Sequence, residues 1–412
     1  MEPIKARAPG RINRIAYITP QGQLQTIAPT GADRRTLTDT DLTYQFPAWS
    51  PDGSLIAAIG GDGSSTGVFV SADRPFAGEP KTIYFSTDQL PFYLYWAPNS
   101  RLISFIASHP RAGIGLHLAS MTEEGSQLLA TGQPLFWNWL PASDRILVHS
   151  GVNRPEARLA LVEVEHGRIS KNLARPGLFQ APGIAPSGRF WAYGEIDEEE
   201  NSRLVIEDIG QQERFMLLYE GALALGWDPS GDRLAYIAPS APVQRFYGPL
   251  QLIDPRQRRA RLLIEPTVLA FFWAPTGRHI AYLTLVEAPY PAEWEEAGPP
   301  TNGTVPIGYP TNGRTANRLQ AGQPSPRLEL SVVDVATRLS RRLLEFEPPA
   351  LFVNQFLPFF DQYALSHRLW SPDGQALVLP VVQGGVTEIT VIPLEGEPRP
   401  IAEGQIAFWS QQ

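Results

Sequence analysis

The sequence predicts an all-β chain folded as a single β-propeller of about eight four-stranded blades. Three observations carry this. A motif of Trp, any residue, Pro, a small or acidic residue and Gly recurs about every 45 residues. A short alternating apolar run follows each well-formed copy. The two chain ends read as complementary halves of one further blade.

The motif stands as Trp49-Ser-Pro-Asp-Gly53, Trp227-Asp-Pro-Ser-Gly231, Trp273-Ala-Pro-Thr-Gly277 and Trp370-Ser-Pro-Asp-Gly374. Weaker copies are Trp96-Ala-Pro-Asn-Ser100, Trp139-Leu-Pro-Ala-Ser143 and Ile184-Ala-Pro-Ser-Gly188. The chemistry is that of a tight turn. Pro presets φ, Asp bonds its own backbone, and Gly accepts positive φ. The motif therefore ends a first strand. Second strands follow, such as Leu55–Ile59, Leu102–Ile106 and Ile280–Leu283, and then third strands such as Leu204–Asp208 and Leu330–Asp334. A short polar fourth strand, as at Arg341–Leu344, completes each unit. Arg14–Ile18 lacks a first strand before it, and Gln405–Trp409 is a first strand with nothing after it. Joined in one blade, the N- and C-terminal strands close the ring over residues 12–410. One interval is doubled. Residues 287–327 are rich in Pro and Gly and read as a long loop inserted in a blade, which keeps the count at eight. Seven blades is the alternative if the copy at 139 or 184 fails.

Composition excludes several classes. Gly and Pro number 35 and 40, so turns are frequent. The net charge of −8 lacks a nucleic-acid footprint. There is no Cys, which removes disulfides, thiol nucleophiles and cysteine-ligated metals. No apolar run is long enough to insert in a membrane. With Met1 as the true start, the expected address is the cytoplasm, or the periplasm or exterior if a leader was removed.

The WSPDG turns and the strands after them resemble the TolB-type, WD-repeat-like propeller repeat, related to the propellers of dipeptidyl peptidase IV and prolyl oligopeptidase proteins. The resemblance covers the chain except the insertion. It implies the architecture and, from TolB, a binding and scaffolding role. It implies no catalytic triad, because no hydrolase domain and no G-x-S-x-G nucleophile motif follow.

In a propeller with this strand order the Pro-Asp-Gly turns lie on the bottom face. The 287–327 insertion and the 345–366 connection then fall on the top face of neighbouring blades. The connection reads Phe352 to Tyr363, then Ser366-His367-Arg368, and Tyr44–Phe46, Asp88–Tyr93, Phe136–Asn138 and Phe179-Gln180 carry similar chemistry. Two readings stand. The aromatics wall the channel mouth as core, or they form a binding surface with the amides fixing orientation. The binding candidates are Tyr93, Trp294, Tyr309, Phe356, Phe359, Phe360, Asp361, Gln362, Tyr363, His367 and Arg368.

No catalytic residue, metal or cofactor is expected. The His residues have no paired ligand spacing, and His367 beside Asp361 and Gln362 reads as a loop anchor. The acidic run 195–200 and the Gly-rich run 60–67 read as solvated loops; the latter lacks the Lys and helix of a phosphate loop. The favoured function is a non-enzymatic module that binds a protein or peptide through its top face. The alternative is a propeller enzyme, a polysaccharide lyase or glycoside-active protein, with a site at the channel mouth.

Overall fold

The motif turns form as their chemistry dictates. In the first, the Gly53 amide donates to the Ser50 carbonyl at 2.8 Å, and Gly53 takes a φ of 72°. The Ser50 hydroxyl donates to Asp52 at 2.6 Å and accepts from the Leu55 amide at 3.0 Å. Two copies place Ser where the others have Gly. Ser100 and Ser143 hold φ values of 58° and 62°. Each hydroxyl accepts an amide of the preceding blade's turn at 3.1 Å, from Asp52 and Asn99 respectively. The strained serines thus link neighbouring blades.

A computed structural model describes residues 13–75, 78–123, 125–152, 154–239, 247–286 and 326–411. The insertion, with Trp294 and Tyr309, lies almost wholly outside the described residues. Its ends leave the strand His279–Leu285 and enter Leu328–Asp334, so it joins the second and third strands of one blade.

Eight antiparallel sheets form the ring. The inner strands of blades one to six are Thr43–Trp49, Pro91–Trp96, Leu135–Trp139, Gly183–Ile184, Ala224–Trp227 and Ala270–Trp273. In blade seven the inner strand shortens to a bridge between Trp370 and Leu377, beside three full strands. Blade eight joins the termini: Ile15 pairs with Trp409 and Ile18 with Ile406. The count is eight, and the ring closes as the ends predict.

The inner tryptophans act as latches. Trp49 donates its indole N–H to the Phe408 carbonyl, Trp96 to Ala48, Trp273 to Gly226 and Trp370 to Phe272, at 2.9–3.3 Å. In each case the acceptor precedes the Trp of the blade before. Trp139 departs from this. It donates to the Ser104 hydroxyl at 3.0 Å, as does Trp137 at 2.8 Å, and Ser104 passes its own proton to the Tyr95 carbonyl. That hydroxyl's single donor and both lone pairs are filled.

A second closure operates at the outer side of the seam. Arg14 of blade eight reaches Asp73 of blade one at 3.1 Å and Asp33 at 2.6 Å, and Arg35 joins both carboxylates. Arg14 and Asp73 are buried while Asp33 is exposed, so the Arg14–Asp73 pair is the part sensitive to loss of a partner.

Deleting residues 404–412 should lower the melting temperature by more than about 5 °C, since a strand pairing and the Trp49 acceptor both go. An unchanged melting curve would contradict strand closure. Ser104→Ala leaves two buried indole N–H groups unpaired and should cost about 2–4 kcal/mol in urea unfolding. No measurable loss would show that the relay carries no stability.

Candidate functional site

An inner strand of a propeller has a raw edge facing the axis, with backbone groups that need partners. Here residues 352–366 supply them. The segment predicted as a surface connection is a helical plug in the channel. It begins as a wide π-type turn (Phe352–Phe356), tightens through a 3-10 turn (Leu357–Phe359) and continues as helix α1 (Phe360–Ser366). The aromatic positions 352, 356, 360 and 363 fall on one face at helical spacing.

The plug's polar side chains bind the strand edges. The Gln362 amide accepts the Trp137 N–H at 2.9 Å and donates to the Trp137 carbonyl at 3.0 Å, standing in for a paired strand. Asp361 accepts the Ala181 N–H at 3.1 Å. Nε2 of His367 lies 3.2 Å from the Phe46 carbonyl and its Nδ1 lies 2.6 Å from the Ser366 hydroxyl. Tyr93 bonds Ser366 at 2.7 Å and the Gln362 carbonyl at 2.9 Å. Gln180 reaches the Pro358 carbonyl at 2.9 Å.

The aromatic face packs between these contacts. Phe356 stacks on Phe272 at 5.9 Å, Phe360 meets Phe271 edge-on at 5.4 Å, and Tyr363 packs on both Phe46 and Tyr93 at 4.9 Å. Tyr93, Phe356, Phe360, Asp361, Gln362, Tyr363 and His367 are all buried. Phe359 and Arg368 are half-buried, and Arg368 donates to the Gln411 carbonyl at 2.7 Å. The described sequence candidates therefore converge at the channel, but most of them fill it rather than line an open mouth. Asn354 and Ala364 are the exposed positions of the plug.

Burial governs the titrations. Desolvation pushes Asp361 up to about 7, against the three backbone amides (Ala181, Gln362 and its own) that favour its ionised form. It pulls His367 down to about 3 and His149 down to about 4. His149 and Asp361 share one peptide unit. His149 Nδ1 lies 3.0 Å from the Gln180 carbonyl, and the N–H on the other side of that peptide, from Ala181, meets Asp361. Charge on Asp361 polarises that peptide toward His149. Nothing in the sequence signals this link, because no spacing relates positions 149, 180 and 361.

Among the described residues no group of three or more His, Cys, Asp or Glu gathers with metal-holding geometry. The acidic and Gly-rich runs form hairpins whose tips are exposed to solvent. Glu195 pairs with Arg214 at 2.7 Å, and Asp62 accepts the Ser64 and Ser65 amides at 2.9 Å.

No protein-family model and no curated protein sequence matches the chain. Solved structures do match. Dihydro-heme d1 dehydrogenase NirN aligns with a TM-score of 0.56 at 11% identity, over 98% of this chain and 76% of that one. A eukaryotic initiation factor aligns with a TM-score of 0.53 at 10% identity, over 97% and 99%. The chain is a β-propeller. TolB from Acinetobacter baumannii, of the family that the repeat resembles, matches at 18% identity and a TM-score of 0.39. That alignment spans 61% of this chain and 63% of TolB's own length, less than two thirds. At these identities the likeness is one of fold.

Asp361 gives a signed pH dependence. Its folded value lies above the ordinary carboxyl value of about 3.9, so its proton stabilises the native state. Its contribution is fully present below about pH 4 and is lost as pH rises to about 7. The two histidines act oppositely, lowering stability as pH falls below about 6.5. Asp361→Asn should therefore remove a decline of at most about 4 kcal/mol between pH 4 and 8. Chemical unfolding of both proteins across that range checks this, and parallel curves would refute it.

Proposed function

We propose that this chain is a binding propeller, without a catalytic step of its own, that engages a protein or peptide at its top face. One observation carries the reading. The axis is filled by the chain's own plug, and Asp361, Gln362 and His367 each bond backbone groups of the surrounding ring, at Ala181, Trp137 and Phe46. A general acid or base must reach a substrate proton, and these groups face inward to the fold. What remains at the rim suits recognition. Asn354 and Ala364 face solvent, Phe359 and Arg368 are half-buried, and the buried aromatics hold them in place. Rigid support beneath a contact surface limits the ordering cost of binding. The ends of the 287–327 insertion attach to blade six, whose last strand leads into the plug, and on this reading its Trp294 and Tyr309, outside the described residues, add to the same face.

The test starts from proteins enriched on full-length bait from the native host. Each identified protein is purified and its binding measured directly. The reading expects a partner whose affinity falls at least about tenfold with Asn354→Lys plus Ala364→Arg, or when residues 289–326 are replaced by a Gly-Ser link. Binding unchanged by both variants would place the contact elsewhere. Turnover of a uronate polysaccharide by the purified chain would replace this reading with the enzyme alternative.

A further inference from the structure

Two similar grooves lie side by side toward the turn face of the ring. The groove between blades four and five encloses about 260 Å³ and is lined by Arg189, Arg214, Arg256 and Arg258. The groove between blades five and six encloses about 270 Å³ and is lined by Arg233, Arg259, Arg261 and Arg338. They match in size and in cation number, and they differ in how those cations are answered.

In the first groove every guanidinium has a carboxylate. Arg189 pairs with Asp208, Arg214 with Glu195 and Arg256 with Asp232, each at 2.7 Å, and Arg258 pairs with Glu213. In the second, only Arg233 is answered, by Asp228 at 3.0 Å. Arg259, Arg261 and Arg338 are exposed and have no ion-pair partner among the described residues. Asp254, the carboxylate in that lining, accepts the Arg256 and Gln257 amides of its own turn at 2.9 and 3.2 Å. A chain with net charge −8 thus leaves one groove with an open cluster of positive charge.

The backbone says what fits there. Arg259 and Arg261 sit two apart on Arg259–Val268, the outermost strand of its sheet. Their register with Asp254 and Leu252 is regular, so both side chains share one face, about 6.8 Å apart along the strand. A peptide added at that edge presents its own alternate side chains at the same spacing. Carboxylates at positions i and i+2 would then meet Arg259 and Arg261, with Arg338 across the groove. No aromatic ring is among the lining residues, so nucleobases and sugar rings have no stacking platform.

We infer that the groove between blades five and six binds an acidic-x-acidic peptide strand of a partner, paired to the outer edge of Arg259–Val268. This surface is separate from the channel rim, and its test stands whether or not the rim binds a partner.

The probe is a short labelled peptide of alternating Glu and Val, titrated with the full-length protein by fluorescence anisotropy. The peptide should bind, more weakly as salt rises, and its Gln–Val counterpart should not. Arg259→Glu with Arg261→Glu should weaken binding at least about a hundredfold, and Arg338→Ala on the opposite blade about tenfold. Arg189→Gln, in the neighbouring groove, should leave binding unchanged. Circular dichroism confirms the fold of each variant, and Arg338→Ala alone decides if the double variant does not fold. Equal binding by an alternately N-methylated peptide would overturn strand addition. Equal or tighter binding of an oligogalacturonate or oligothymidylate of matched charge would overturn the choice of a peptide, and no binding of the Glu–Val peptide would overturn the site.

Discussion

An eight-bladed ring has a hole on its axis, and the inner edges of its sheets are unpaired there. This chain meets both demands with one segment. The plug must be apolar enough to fill the hole and polar enough to bond the edges. Phe352, Phe356 and Phe360 do the first, and Asp361, Gln362 and His367 the second. Everything at the channel follows from that division. An amide, a carboxylate and an imidazole in a propeller channel suggest chemistry on composition alone. Their bonding shows that each answers a backbone group of the ring, and Gln362 takes both the N–H and the C=O of Trp137 as a paired strand would.

Around the plug, the ring is held unevenly. Indole latches join blades eight to one, one to two, five to six and six to seven, and the Ser104 relay joins two to three. Blade four has Ile184 where the motif has Trp, and its inner strand is only Gly183–Ile184. The next indole, of Trp227, stacks on Phe190 of blade four at 5.9 Å, but its buried N–H has no hydrogen-bond partner. Blades three to five also contribute most of a hydrophobic cluster separate from the largest one. It is across this arc that arginines pair with carboxylates near the turns, as in Arg189–Asp208, Arg256–Asp232 and Arg258–Glu213. Of these only Arg258–Glu213 crosses from blade five to blade four, while Arg189–Asp208 and Arg256–Asp232 brace turns within their own blades. Exposed pairs of this kind contribute little each, so this arc is the part of the ring expected to open first.

The repeat, the eight blades and the terminal closure were legible because propeller turns need particular residues. Trp-x-Pro-Asp-Gly is a backbone requirement written in side chains, and it survives substitution at the other positions. The plug was not legible as a helix, although its signal was present. Positions 352, 356, 360 and 363 form an aromatic stripe at helical spacing. Pro348, Pro349 and Pro358 mask it, and a helix has no place in a repeat of strands. Tyr93, Gln362 and His367, grouped by sequence as binding candidates, meet one another at the plug. Their burial could not be read, because an aromatic and amide-rich segment looks the same on a surface as in a channel. The arginine grooves are hidden in the sequence for another reason. The run Arg256-Gln-Arg-Arg-Ala-Arg261 is short and lies in an acidic chain, so net charge hides it.

That acidic background also shapes how an open cationic groove can act. At physiological salt, fields decay over about 8 Å. An acidic partner approaching from further away meets a surface whose net charge repels it. Electrostatic steering would therefore add little to the association rate. The attraction of Arg259, Arg261 and Arg338 acts only when a carboxylate is already at the groove, where a planar fork can take both oxygens. Recognition on those terms depends on geometry, on the spacing of the acidic groups and on a free backbone edge, more than on total charge. A paired groove of the same size beside it gives the contrast: there carboxylates of blades four and five answer every arginine, and only where such carboxylates are missing does the ring offer charge to another chain.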